Sequence, residues 1–173
     1  MNTKTLATLA IASVSAAACA QLSSGIRIFG GYGWSGSISN TTTGSTHLLG
    51  PELGLEFPVS KIANTAETDI RADVLLGGQL AHGSDLDGYI YRFLWSARTA
   101  IPGSTASTFA GIGWGWGEAR NGEFPSFNGF ITQIGVDIPM GLGVGNLTPS
   151  LELSGSYGKS GLSGYSVCLA FKF

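Results

Sequence analysis

From residue 25 onward the chain alternates apolar residues with small or polar ones, one for one, in segments broken by turns. In "GYSVCLAFKF", Gly164 to Phe173, one face carries Tyr165, Val167, Leu169, Phe171 and Phe173, and the other carries Ser166, Cys168, Ala170 and Lys172. Such alternation marks a strand whose two sides meet different surroundings. The same pattern recurs over residues 25–35, 46–59, 69–81, 88–101, 107–117, 127–139, 147–158 and 164–173. Gly, Ser, Asn, Asp and Pro fill the breaks, as in "SGSISNTTTGS", "HGSDLDG", "EARNGEFPS", "MGLGVGN" and "GKSGLSG". Evenly spaced strands separated by turn signals predict an all-β barrel or sandwich. No amphipathic helix is predicted beyond residue 25; "KIANTAET" makes at most one helical turn.

The two faces differ in kind. One carries Leu, Ile, Val and aromatic residues, with no charge in the central spans. The other carries glycine and serine together with Arg27, Arg71, Arg92, Arg98 and Lys172 set against Glu52, Glu56, Asp73, Asp137 and Glu152. Composition decides which face is inside. Only 12% of residues are charged, against roughly 25% in soluble proteins, so the polar face makes a poor solvent exterior. The bulky apolar face, in turn, overfills the interior of an eight-stranded barrel, which only just admits side chains. The aromatics are also sorted. Tyr32, Trp34, Tyr89, Tyr91, Trp114, Trp116, Tyr157 and Tyr165 fall at the strand ends remote from the N-terminus, and Phe57, Phe171 and Phe173 at the opposite ends. Tyr and Trp favour the water–lipid boundary, where a ring and a hydrogen-bonding group are both accommodated. This aromatic girdle predicts an eight-stranded antiparallel up-and-down transmembrane β-barrel with the apolar face outward.

The first residues read differently. In "MNTKTLATLAIASVSAAACAQ", Lys4 precedes an apolar stretch from Leu6 to Val14, and Ala18-Cys19-Ala20 offers a small-residue cleavage site. Residues 1–20 are expected to be a cleaved signal peptide, followed by a barrel domain over 21–173. Lipidation at Cys19 is the alternative; a Leu near position 16 would favour it, and Ala16 stands there. Cleavage leaves Cys168 as the one cysteine, pointing inward, so no internal disulfide forms. The net charge is −2 with no basic cluster, which argues against nucleic acid.

Signal peptide, even strand count, girdle and terminal "AFKF" together resemble the small eight-stranded outer-membrane β-barrel proteins of diderm bacteria, porin-like in pattern. The resemblance spans about residues 21–173. It implies a place in the bacterial cell outer membrane, with the termini in the periplasm and the Tyr/Trp rim facing out. It implies lipid contacts, a monomer, and recognition of the last strand by the barrel-assembly machinery. Tyr165, Leu169, Phe171 and Phe173 match that terminal insertion signal. The long "VSKIANTAETD" connection departs from a short periplasmic turn.

Little chemistry is written on the chain. "GIGWGWG" interleaves aromatics at period two and precedes no helix, so it is not a phosphate loop. No cofactor, metal site or catalytic residue is predicted. His47 and His82 lie near the girdled rim, with Ser84, Asp85 and Asp87 beside His82; a lipid-modifying enzyme at the rim is the hypothesis they raise, and an exposed polar loop is the plainer reading. The lumen charges are expected to pair into a plug rather than line a pore, because unpaired charge in a narrow interior costs several kcal/mol per ion. Glu52 or Glu56 should meet Arg71, and Asp73 should meet Arg92 or Arg98. On that reading, removing Arg92 destabilises the barrel and raises conductance. The expected function is a structural or surface-interaction barrel, with a narrow ion or small-solute pore as the alternative.

Overall fold

The structure is a computed structural model that describes residues 25–40, 44–63, 66–79, 86–119, 124–141 and 148–173. The proposed signal peptide, its cleavage site and Cys19 lie outside the described residues. Among the described residues the chain forms ten strands: β1 Arg27–Ser35, β2 Ile38–Asn40, β3 Gly44–Thr46, β4 Leu48–Ala63, β5 Ala66–Gln79, β6 Leu86–Ala100, β7 Ser107–Ala119, β8 Phe127–Pro139, β9 Thr148–Gly158 and β10 Gly164–Lys172. Eight of them close into a barrel in the order β1-β10-β9-β8-β7-β6-β5-β4, and β2 and β3 form a separate small hairpin. Each barrel strand is antiparallel to its neighbours, and β1 closes the sheet against β10 with Arg27 opposite Lys172 and Ser35 opposite Gly164. Closure leaves no free sheet edge along the span, the condition for a sheet to cross lipid.

Where the structure departs from the sequence reading, it does so at connections. The stretch "KIANTAET" makes no helical turn in its described part. β4 and β5 continue as a ladder, pairing Lys61 with Glu67 and Ala63 with Ala66 across two register shifts. The long connection is therefore mostly strand, carried past the barrel rim as a hairpin. The segment read as the loop "SGSISNTTTGS" holds β2 and β3, paired Ile38 to Thr46; three-residue strands are too short to show a period. The last connection folds Ser160–Leu162 into a single 3-10 turn, with Ser160 in the left-handed region at φ 54°.

The outward face is apolar and accessible. Trp34, Trp95, Trp114, Trp116, Tyr157 and Tyr165 are all exposed, as are Leu53, Phe93, Ile112, Phe130, Ile134, Val167 and Leu169. The girdle residues align through register: Trp34 stands opposite Tyr165, and Tyr91 opposite Trp116. Tyr91 and Trp116 have ring centroids 5.6 Å apart, and Tyr89 and Tyr91 5.1 Å. An apolar exterior on this scale would be a severe liability in water and is the normal surface of a barrel in lipid. Most of the buried side chains lie inside the barrel.

Candidate functional site: the barrel lumen

The lumen is built in two layers. Toward the end that carries the chain termini lies a charged layer. Arg27 on β1, Glu52 and Glu56 on β4, Arg71 and Asp73 on β5, Arg92 and Arg98 on β6 and Glu152 on β9 are all buried; Asp137 on β8 is partly buried. Alternation places each on the inner side of its strand, and the barrel curvature then aims strands far apart in sequence at one another.

Arg71 is the hub and is 0% exposed. Its Nη2 donates across the lumen to Glu152 Oε1 at 2.6 Å, its Nη1 to Glu56 Oε2 at 3.3 Å, and its Nε to Asp73 Oδ2 at 3.4 Å. Arg92 Nε donates to Asp73 Oδ1, and its Nη2 lies 2.6 Å from Glu52 Oε2. Arg98 donates to Glu56 Oε1 at 2.8 Å and pairs with Asp137 at 3.4 Å. Arg27 pairs with Glu152 and Asp137. Of the partners the sequence left open, the structure pairs Glu56, not Glu52, with Arg71, and Asp73 with Arg92, not Arg98. Arg98 turns to Glu56 and Asp137 because β6 carries it further toward the mouth. Lys172 stands outside this network: it sits at the mouth, 3.4 Å from Glu67, with its side chain about half exposed.

Two phenylalanines complete the charged layer. The Arg71 guanidinium lies 3.8 Å from the Phe29 ring centroid and 5.1 Å from that of Phe109, while Arg98 lies 4.9 Å from the Phe109 ring. Cation–π contact suits a desolvated arginine. The rings need space, and glycine supplies it: a Cβ at Gly54 would overlap Phe29, and one at Gly135 would overlap Phe109. Gly54 and Gly135 are thus sockets for rings.

Toward the other mouth the lumen turns apolar. Leu48, Leu75, Ile90, Leu94 and Ile131 from the barrel wall pack with Ile38 of the small hairpin, Ala119, Phe124 and Leu162 of the 3-10 turn. Leu162 is 1% exposed and lies against Gly115, Gly129 and Gly158. Its backbone is tied down: Ser156 Oγ donates to the Leu162 carbonyl at 3.0 Å, and Ser163 Oγ to that of Gly158 at 2.7 Å. This layer was missed in sequence. Leu48, Leu75 and Ile90 occur among apolar neighbours that blur the alternation, and Ile38, Phe124 and Leu162 lie in segments rich in turn residues. Phe109 had a usable signal, standing in phase with Gly111 and Gly113.

Cys168 points inward and is buried. His47 lies against Trp34, centroids 5.7 Å apart, with Nδ1 3.1 Å from the Ser35 carbonyl. His82, Ser84 and Asp85, and the side chain of Asp87, lie outside the described residues. Among the described residues no three His, Cys, Asp or Glu side chains are grouped to hold a metal. Tyr165, Leu169, Phe171 and Phe173 are exposed on the outward face.

A closed eight-stranded sheet with an apolar, aromatic-banded exterior and a packed lumen has the fold of the small eight-stranded outer-membrane β-barrels. One solved structure shares the fold. The attachment invasion locus protein Ail of Yersinia pestis is similar at 16% identity over 87% of this chain and 99% of its own, with a TM-score of 0.51. The N-terminal β-barrel domain of Pseudomonas aeruginosa OprF aligns at 13% identity over 86% of this chain and 97% of its own, with a TM-score of 0.43. No protein-family pattern and no curated protein matches the sequence.

Proposed function

We propose that this chain is a closed, non-enzymatic barrel of the bacterial outer membrane, which serves as a structural element and presents its loop end to the cell exterior. The termini and the charged layer face the periplasm on this reading, and the Tyr/Trp rim and the apolar layer face out. One observation carries it: the lumen is filled twice over, by paired charges in one half and by the Leu162 layer in the other. A path for ions would have to cross both. Outer-membrane lipids cover the apolar band, the last strand serves as the signal for the barrel-assembly machinery, and the protein works as a monomer.

Membrane fractionation combined with gel mobility tests this. The chain should be recovered with outer membranes only by detergent. It should also migrate at a different apparent size unheated than boiled, since the closed barrel holds every backbone bond of the span internally. Recovery from the periplasm without detergent would overturn the reading.

A further inference from the structure

At the terminal mouth the charged layer opens into a cavity of ≈ 210 Å³. Asp69 of β5 lines it and is only 2% exposed. Among the described residues its Oδ2 has no hydrogen-bond partner, and no Arg or Lys lies within ion-pair distance of it. Directly opposite Asp69 on β6 is Ser96, also buried, whose Oγ likewise has no partner. A buried carboxylate with no ion-pair contact is costly, and the cations nearest it, Arg98 and Lys172 among them, are already paired with other carboxylates. Arg98 serves Glu56 and Asp137, Arg27 serves Asp137 and Glu152, and Lys172 serves Glu67.

We propose that this cavity binds a primary ammonium group carried on a short alkyl stem, with Asp69 as its counter-ion. The lining favours a cation, because the carboxylates of Glu56, Glu67, Asp69 and Asp137 outnumber Arg27, Arg98 and Lys172. It favours an ammonium over a hard divalent ion, which needs a converging set of oxygen ligands that the described residues do not form. An ammonium has three freely rotating donors and asks only for acceptors. Asp69 and the hydroxyls of Ser107 and Ser150 line the same space. The volume corresponds to several waters at about 30 Å³ each, more than the charged head fills, which leaves room for the stem.

The test uses the full chain folded in a maltoside detergent, whose head group carries no ammonium. Calorimetric titration with n-butylammonium should show saturable binding. Asp69→Asn should weaken it at least about tenfold, as loss of a charge-assisted hydrogen bond does, while Glu118→Gln at the opposite mouth should leave it unchanged. Amide shifts in the unaltered protein should centre on residues 67–71 and 95–98, a readout that needs no variant. Absence of saturable binding, equal binding by Asp69→Asn, shifts centred elsewhere, or tighter binding of magnesium at the same residues would each overturn the proposal.

Discussion

Arg71 shows what single residues contribute. It is fully buried, contacts three carboxylates and lies against two rings, so its removal strands Glu152 and Glu56 with fewer partners in a buried interior. Arg71→Ala should cost about 3–5 kcal/mol, the usual loss on breaking a buried pair, read from the urea midpoint of protein refolded in detergent. Arg92 and Asp73 should be coupled: the double replacement should cost less than the sum of the singles in a double-mutant cycle. Strict additivity would show that water screens the pair. Gly135 is the steric counterpart. Gly135→Val should destabilise by about 1–3 kcal/mol through overpacking on Phe109, and Phe109→Leu in the same chain should recover part of that loss. The sequence placed the arginines and carboxylates on one face because charge and period two are both visible there. It could not choose their partners, since choosing requires strand stagger: Glu152 meets Arg71 across the lumen, not along any ladder.

At the scale of elements, the strands were legible and the connections were not. β6, β7 and β8 each run thirteen or more residues, and alternation reveals most of their inner face, apart from inward apolar residues such as Ile90, Leu94 and Ile131. The 3-10 turn at Ser160–Leu162 offers only "SGL", and its role depends on a contact with Gly115 and Gly129 that no local pattern announces. Likewise, residues 60–68, between the predicted strands 46–59 and 69–81, read as a connection, whereas β4 and β5 continue there as an irregular ladder. The terminal strand supports a prediction of its own. Burial of one Phe is worth only ~1.5–3 kcal/mol, and Phe173 is partly exposed at 39%. Phe173→Ser should therefore barely move the unfolding midpoint in detergent. If β10 serves as the insertion signal proposed for it, the same change should sharply lower the amount of folded barrel in the outer membrane of cells. Equal small effects in both assays would remove the signal role.

For the molecule as a whole, the layering changes what opening the lumen requires. Sequence reading pictured one polar plug, so that Arg92→Ala alone would raise conductance. The apolar layer above Arg92 alters that expectation, because it remains closed when the charge network is damaged. The central claim, a lumen sealed by two independent layers, is tested most directly by conductance across a planar bilayer. The unaltered protein, Arg92→Ala and Leu162→Ala should each give no discrete current steps, and the combined Arg92→Ala, Leu162→Ala protein should give measurable ones. Discrete steps of reproducible size from the unaltered protein, or from Arg92→Ala alone, would contradict a doubly sealed barrel.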